Sequence, residues 1–248
     1  MTSAPRKPKK FESVDCECGF GYVHGIPSNM REHRKRHDLY LNGVPAKPMK
    51  DDEILTVRWK ALVGMRVTLV RPNASRNQQL RAEAVARRAN KEMHYDCYVY
   101  EAGESCIAEY DMHVFLAHRD DRAVAMLLLE KREHVWRAHW KKGKDWTRRC
   151  ANDGGCDNDA RIFDEECDDY EWIDVASEEP ETGRKLWTVG FVWVLPRLRG
   201  QGVAKALTQE AAAFAKTPVE KLGWYTPFSA TGRRLAHHFC PKEFWIVK

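Results

Sequence analysis

The chain has 248 residues, 43% of them hydrophobic, with a mean hydropathy of -0.62 and a formal net charge of +5. That is the size of one α/β domain with a small appendage, and the composition suits a soluble globular protein. No apolar stretch is long enough to cross a membrane and the polar, basic, proline-containing start is not a signal peptide, so membrane-spanning and secreted classes are not expected.

The charge is unevenly spread. Residues 150–181 carry thirteen acids against one base, Arg161, leaving 40 bases against 23 acids elsewhere. A basic body predicts an anionic partner such as nucleic acid. Eight cysteines without a secretory leader point to metal binding or buried thiols in a reducing, intracellular compartment. That compartment is the cytoplasm or nucleoid in a prokaryote or virus and the nucleus in a eukaryote.

Residues 1–10, MTSAPRKPKK, lack periodicity and read as a disordered basic tail. In residues 11–44, His33 and His37 are four apart and share one face of a helix that Ser28 can cap, while Cys16 and Cys18 sit on a turn before it. Two thiolates and two imidazoles suit a closed tetrahedral zinc site, and in so short a segment the metal would supply much of the folding free energy. The alternative is two free thiols and two solvated histidines on a basic helix. Residues 45–52, with Pro45 and Pro48 among charges, read as a linker before a domain over 53–248.

Residues 66–72 alternate like a half-buried strand, and Ser75 can cap a helix through about Met93 with Leu80, Val85 and Ala89 as its apolar members. Residues 113–118 and 122–129 read as a hairpin across Arg119-Asp120-Asp121. An acidic insertion over 141–181 reads as a polar surface loop. Its Cys150, Cys156 and Cys167, with His134 or His139, leave a second metal site as an alternative. An acidic lobe would also attract a basic, lysine-bearing substrate.

The stretch 187–214 organises the chain. Residues 189–195 form a short, β-branched and aromatic run that predicts a buried strand. Arg197-Leu198-Arg199-Gly200-Gln201-Gly202 follows, then a helix with Val203, Leu207, Ala211 and Phe214 on one face. Glycines before a helix start let backbone N–H groups approach a phosphate or pyrophosphate. There is no Gly-Lys-Ser/Thr of a Walker loop and no triple-glycine βαβ fingerprint.

The R-x-x-G-x-G pattern followed by Val203 and Ala204 resembles the acetyl-CoA signature of the GNAT acetyltransferase superfamily. The resemblance implies an α/β (α+β) GNAT fold with a mixed central sheet, preceded by the small zinc finger, and an acetyl-CoA-dependent N-acetyltransferase. It implies that the loop amides hold the CoA pyrophosphate and that Val192, Trp193 and Val194 line the pantetheine arm. The implied cofactor-binding set is these three with Arg197, Arg199, Gly200, Gln201, Gly202, Val203, Ala204, Gly232 and Arg233. Cys18-Gly19-Phe20-Gly21-Tyr22, then His33, then His37-Asp38-Leu39-Tyr40-Leu41-Asn42-Gly43 looks like the C2H2-type finger of the ESCO-type cohesin acetyltransferases. That family has C-x-x-C-G where this chain has Cys16-Glu17-Cys18, so Asp15 is a substitute ligand to weigh beside the set Cys16, Cys18, His33 and His37.

Residues 220–240 are similar to the family ending, with Pro227, Gly232, Arg233, Ala236 and Cys240 in register, and residues 244–247 read as the closing strand. The resemblance implies a backbone oxyanion donor near Trp193 or Val194 and two catalytic carboxylates. At their positions stand Gln209 and Thr226, so both acids are missing. Glu210 points about 100° away around the helix. Candidate catalytic residues are therefore Thr226, Ser229, Glu210, Glu220, His237 and His238, a histidine having the better intrinsic pKa for collecting a proton.

The substrate class implied is a protein lysine, basic or chromosome-associated, with nucleic-acid contact also expected and the oligomeric state open. No PCNA-binding motif precedes the finger, so the acceptor need not be cohesin and a compact prokaryotic or viral relative fits. Two other readings stand beside it. One is acetylation of a small amine or modified nucleobase, and the other is a nucleic-acid- or protein-binding module with a weakened GNAT domain.

Overall fold

The computed structural model describes residues 12–93, 100–101, 104–105, 111–141, 173–177, 179–181, 183, 185–226 and 228–247. The expected basic tail, Phe11, Pro227 and the insertion cysteines Cys150, Cys156 and Cys167 lie outside the described residues. The chain divides after Gly43 into two compact units.

In the first unit, β1 (Glu12–Asp15) and β2 (Gly21–His24) form an antiparallel hairpin, followed by α1 (Pro27–Asn42). The hairpin turn closes through Gly19 N–H donating to the Cys16 carbonyl at 2.9 Å, with Gly19 at φ +74°. Ser28 does not cap the helix. Pro27, whose fixed φ suits a first helical position, starts it one residue earlier, and Ile26 is the N-cap. No residue of α1 is buried, so the unit has almost no apolar core of its own.

The second unit is built on one mixed sheet. Its strands are β3 (Val44–Pro45), β4 (Glu53–Leu55), β5 (Arg66–Val70), β8 (His113–Arg119), β9 (Arg122–Arg132), β10 (Trp136–Trp140), β11 (Ile173–Val175), β12 (Leu186–Val194), β13 (Gly223–Tyr225) and β14 (Glu243–Val247). β6 (Tyr100–Glu101) and β7 (Glu104–Ser105) pair separately. The sheet order is β11-β10-β14-β13-β12-β9-β8-β5-β4, with β3 joining β9. All pairings are antiparallel except β12 with β13 and β13 with β14. The central strands β8 and β9 are apolar and buried along nearly their whole length, as strands with both faces covered must be.

Among the described residues the unit's α-helices are α2 (Arg76–Met93), α3 (Val203–Phe214) and α4 (Ala230–Phe239). In α2 the buried stripe is Ala82, Val85, Ala86 and Ala89 at helical spacing, whereas Leu80 is 44% exposed and does not belong to it. The Gln78 side chain accepts from Ser75 N–H at 3.0 Å, closing the helix start at Ser75.

The stretch 45–52 is not a free linker. Val44 and Pro45 pair with Ala123 and Arg122, Ala46 N–H donates to the Asp121 carbonyl, and Asp52 is ion-paired with buried Arg81. Proline is tolerated there because this two-residue bridge lies at the sheet margin. The insertion is likewise not all loop, since its described end contributes β11 to the sheet edge.

Two irregularities shape the middle of the sheet. β12 pairs with β9 along its length but the register shifts between Val189 and Phe191, so Gly190 forms a bulge. β12 pairs with β13 only at Thr188 and Val189. From Gly190 onward the two parallel strands diverge, and among the described residues no strand pairs with the β12 edge facing β13.

Candidate functional site

The first unit gathers four metal-ligand side chains. One donor atom from each of Cys16, Cys18, His33 and His37 lies within 4.8 Å of the other three. Cys16 Sγ is 3.3 Å from His37 Nδ1, and His33 Nε2 is buried with no hydrogen-bond partner. A tetrahedral zinc needs donors roughly 3.3–3.8 Å apart, so these residues fit the ion with a small contraction. Tyr22 stacks on the His33 ring at 4.0 Å and sets its plane. Burial, reinforced by Cys16 beside it, pushes the Cys18 thiol up, a penalty that a central cation reverses by stabilising thiolate. Asp15 sits in the hairpin opposite Gly21 and is not a member of the cluster.

The second unit contains a cleft where β12 and β13 part. It is lined by Val189, Gly190, Phe191 and Val192 of β12, Trp224 and Tyr225 of β13, Met93, and Phe228, Ser229, Gly232 and Leu235 around the start of α4. Its empty space, counted to the open mouth, is about 580 Å³. Because alternate backbone N–H groups of a strand point to each side, the β12 edge from Gly190 on, which no described strand covers, turns alternate N–H groups toward the cleft. The opening thus begins at the bulge, three residues before the expected donor position at Trp193.

Beyond β12 a 3-10 turn (Pro196–Leu198) leads into Gly200 at φ +74° and Gly202 at φ +81°, and α3 starts at Val203 without a side-chain cap. The first-turn N–H groups of α3 therefore have neither an intrahelical acceptor nor a cap. Gln201 and Arg197 are exposed here, while Val203 is buried in the core. Two residues expected to contact a cofactor are engaged elsewhere. Arg199 donates to the Val194 carbonyl and pairs with Glu92, and the buried Trp193 indole donates to the same Glu92 at 3.2 Å. Glu92 of α2 therefore clamps the end of β12 to the turn. Gly232 lines the cleft and Arg233 is buried on α4.

The candidate proton carriers are not gathered in the cleft. Glu210 is 6% exposed and accepts the Arg58 backbone N–H at 3.0 Å, fixing the chain before β5 onto α3. Thr226 donates its hydroxyl to the Val247 carbonyl at 3.1 Å. Glu220 is exposed in a 3-10 turn (Val219–Lys221). His238 is exposed and packs on Phe239, whereas His237 meets the Trp140 edge, and burial lowers its pKa. Of the six, only Ser229 lines the cleft, and its Oγ caps α4 by accepting Gly232 N–H at 3.1 Å.

A different acid stands beside the bulge. Glu130 of β9 is 2% exposed, its Oε1 would lie 3.3 Å from a Cβ on Gly190, and the Tyr225 hydroxyl acts on it electrostatically. Arg132 donates to its Oε2 at 2.9 Å. Sequence reasoning missed it: the available signal is an acid closing the apolar run AVAMLLL, and nothing in the sequence links that strand to Tyr225.

Residues 79–231 match the acetyltransferase (GNAT) family. The chain belongs to the GNAT acetyltransferases. No curated protein matches it in sequence. Among solved structures it is similar to the xEco2 acetyltransferase domain bound to a K105-CoA conjugate, at 15% identity and a TM-score of 0.54, over 80% of this chain and 98% of that one. It is also similar to the xEco2 acetyltransferase domain, at 13% identity and a TM-score of 0.51, over 81% and 98%. At such identities the likeness is one of fold.

As a GNAT acetyltransferase the protein is an acyltransferase, and its chemistry needs a donor for a developing oxyanion and a path for the proton of the incoming nucleophile. The cleft-facing edge of β12 beyond Gly190 is where such a donor would stand. No helix among the described residues is long and apolar enough to cross a membrane.

Proposed function

We propose that this GNAT acetyltransferase moves the acetyl group of acetyl-CoA to the side-chain amine of a protein lysine, and that its N-terminal unit is a finger held by one structural zinc. The observation that carries the reading is the continuity of a strand edge that loses its partner at a bulge with a double-glycine turn at positive φ. In this reading the pantetheine arm lies along Gly190 to Val192, and the pyrophosphate accepts from backbone amides near Gln201 to Ala204 at the start of α3. The similar xEco2 domain bound to a K105-CoA conjugate supports lysine as the acceptor. The thirteen acids of residues 150–181 favour a basic substrate. Exposed Arg31, Arg34 and Lys35 on α1 support nucleic acid as a further partner.

A small amine or modified nucleobase is the second reading, favoured by Gln209 and Thr226 standing where the resembling family has acids. Incubation with labelled acetyl-CoA and cell lysate, followed by mass spectrometry of proteins and of the small-molecule fraction, separates the two. Acetyl-lysine formed by the wild type and absent with Gly202→Asp is the expected result. Label confined to small amines or nucleosides would favour the second reading.

A further inference from the structure

Glu130 is the strongest unexplained group in the protein: a carboxylate in the middle of the main sheet, on the strand next to the one that opens the cleft. Across from it β12 presents Thr188 and the bare Gly190, and a Cβ at position 190 would come within 3.3 Å of Glu130 Oε1, so the carboxylate lies directly behind the bulge. The hydroxyl of Tyr225, which lines the cleft from β13, acts on it electrostatically, and the guanidinium of Arg132 lies 5.4 Å from the Tyr225 ring centre. Arg132, whose side chain is 35% exposed, donates to Glu130 Oε2 at 2.9 Å. A purely structural ion pair does not require a phenol on the cleft wall or a side-chain-free bulge beside it.

We infer that Tyr225 and Glu130 form the proton relay of the acetyl transfer, with Tyr225 the catalytic residue at the reacting thioester and Glu130 the positioning residue that stores the proton. The inference rests on the acetyl-CoA reading above. The acceptor ammonium passes one proton to the Tyr225 oxygen as Tyr225 passes its own to Glu130. The freed nitrogen lone pair then forms the N–C bond at the thioester carbonyl. The nitrogen loses its second proton to water, the C–S bond breaks, and the thiolate takes a proton back from Tyr225 as Glu130 returns one. Glu130 ends ionised, and the net products are the acetamide, the CoA thiol and one proton released to water.

The electrostatics agree with these roles. Burial pushes Glu130 above its ordinary range, while Tyr225 and Arg132 pull it partly back. Burial and the Glu130 charge push the Tyr225 hydroxyl far up, so it enters each turnover protonated. Among the described residues the charged or titratable groups acting on Glu130 are Arg132 of its own strand and Tyr225 of β13, and the facing Thr188 and Gly190 of β12 do not titrate. Activity therefore rises with pH as Glu130 ionises, and removing the Arg132 charge displaces that rise to higher pH.

The test compares wild type, Glu130→Gln, Tyr225→Phe and Arg132→Gln. It uses calorimetric titration with acetyl-CoA, CoA-thiol release with a lysine-rich peptide and with water as acceptor, and a carbon-13 titration of the glutamate carboxyls. Glu130→Gln and Tyr225→Phe should bind acetyl-CoA within about threefold of wild type and release thiol about 100-fold more slowly, the size of a lost general base. Glu130→Gln should also lose the rise with pH, and in Arg132→Gln both that rise and the Glu130 carboxyl signal should move to higher pH. Wild-type rates in Tyr225→Phe would overturn the relay even if Glu130→Gln failed to fold. So would a Glu130 signal that titrates in the ordinary carboxylate range and ignores Arg132. A wild type that does not bind acetyl-CoA would instead remove the proposed function, and the relay with it.

Discussion

Gly202 shows how a single residue can be required for its backbone. A Cβ there would meet only the Ala61 methyl at 3.5 Å, and one on Gly200 would meet nothing within 4 Å, so space is not what demands glycine in the free protein. The two residues have φ of +74° and +81°, a region most L-residues reach at a cost of roughly 1–2 kcal/mol. Aspartate tolerates that region better than most, so Gly202→Asp should fold and act mainly through its charge. If the turn wraps the CoA pyrophosphate, its acetyl-CoA affinity should fall on the order of 100-fold, about 2–3 kcal/mol. Calorimetry beside circular dichroism reads both properties, and equal affinity in a folded variant would make the turn a mere helix start. The turn residues were legible in the sequence because glycine spacing is local. The engagement of Arg199 and Trp193 by Glu92 was not, because more than 100 residues separate the partners.

Among the described α-helices, α1 alone has no buried residue, so packing stabilises it least. Its attachment to the β1–β2 hairpin runs through His33 and His37 facing Cys16 and Cys18. Metal analysis should return about one zinc per chain, the stoichiometry of a single Cys2His2 site. His37→Ala should unfold the first unit, seen as loss of its amide protection, while acetyl-CoA binding by the second unit persists. An ordered finger in metal-free protein would contradict the structural role. The paired histidines were readable because i and i+4 share a helix face. The helix start was misread at Ser28 because a proline at the first helical position sets the N-cap at Ile26, two residues before that serine.

For the molecule as a whole, two predictions concern pH and charge. His118 is 1% exposed and bonded to Thr68 at 2.8 Å, and burial, with Arg66 and Arg81 near it, holds its imidazole down at about 4. The unfolded chain binds that proton near 6.5, so the penalty is absent above pH 6.5 and grows as pH falls toward 4, reaching about 3 kcal/mol. Denaturant unfolding at a series of pH values should show this loss, and His118→Gln should flatten the curve in that window. The second prediction concerns residues 150–181, whose acids give the chain its charge asymmetry. Reversing several of them should raise the apparent KM for a lysine-rich peptide and weaken its salt dependence, because steering is screened over about 8–10 Å. An unchanged KM at low salt would refute the steering.

The sequence by itself determined the pieces whose signals lie within a few residues: the apolar strand β12, the glycine turn, the amphipathic α3 and the two histidines of α1. Periodicity, turn chemistry and helix-face spacing are local properties, so they survive without the fold. The tertiary structure decided which candidate acids and bases meet. Glu210 and Thr226 bond to backbone in the interior, and Glu220 and His238 face outward, because their neighbours come from distant strands and turns. Glu130 and Tyr225 come together only because a bulge at Gly190 parts two strands whose sequences lie some 30 residues apart. Long-range pairing of that kind leaves no periodic trace in the chain.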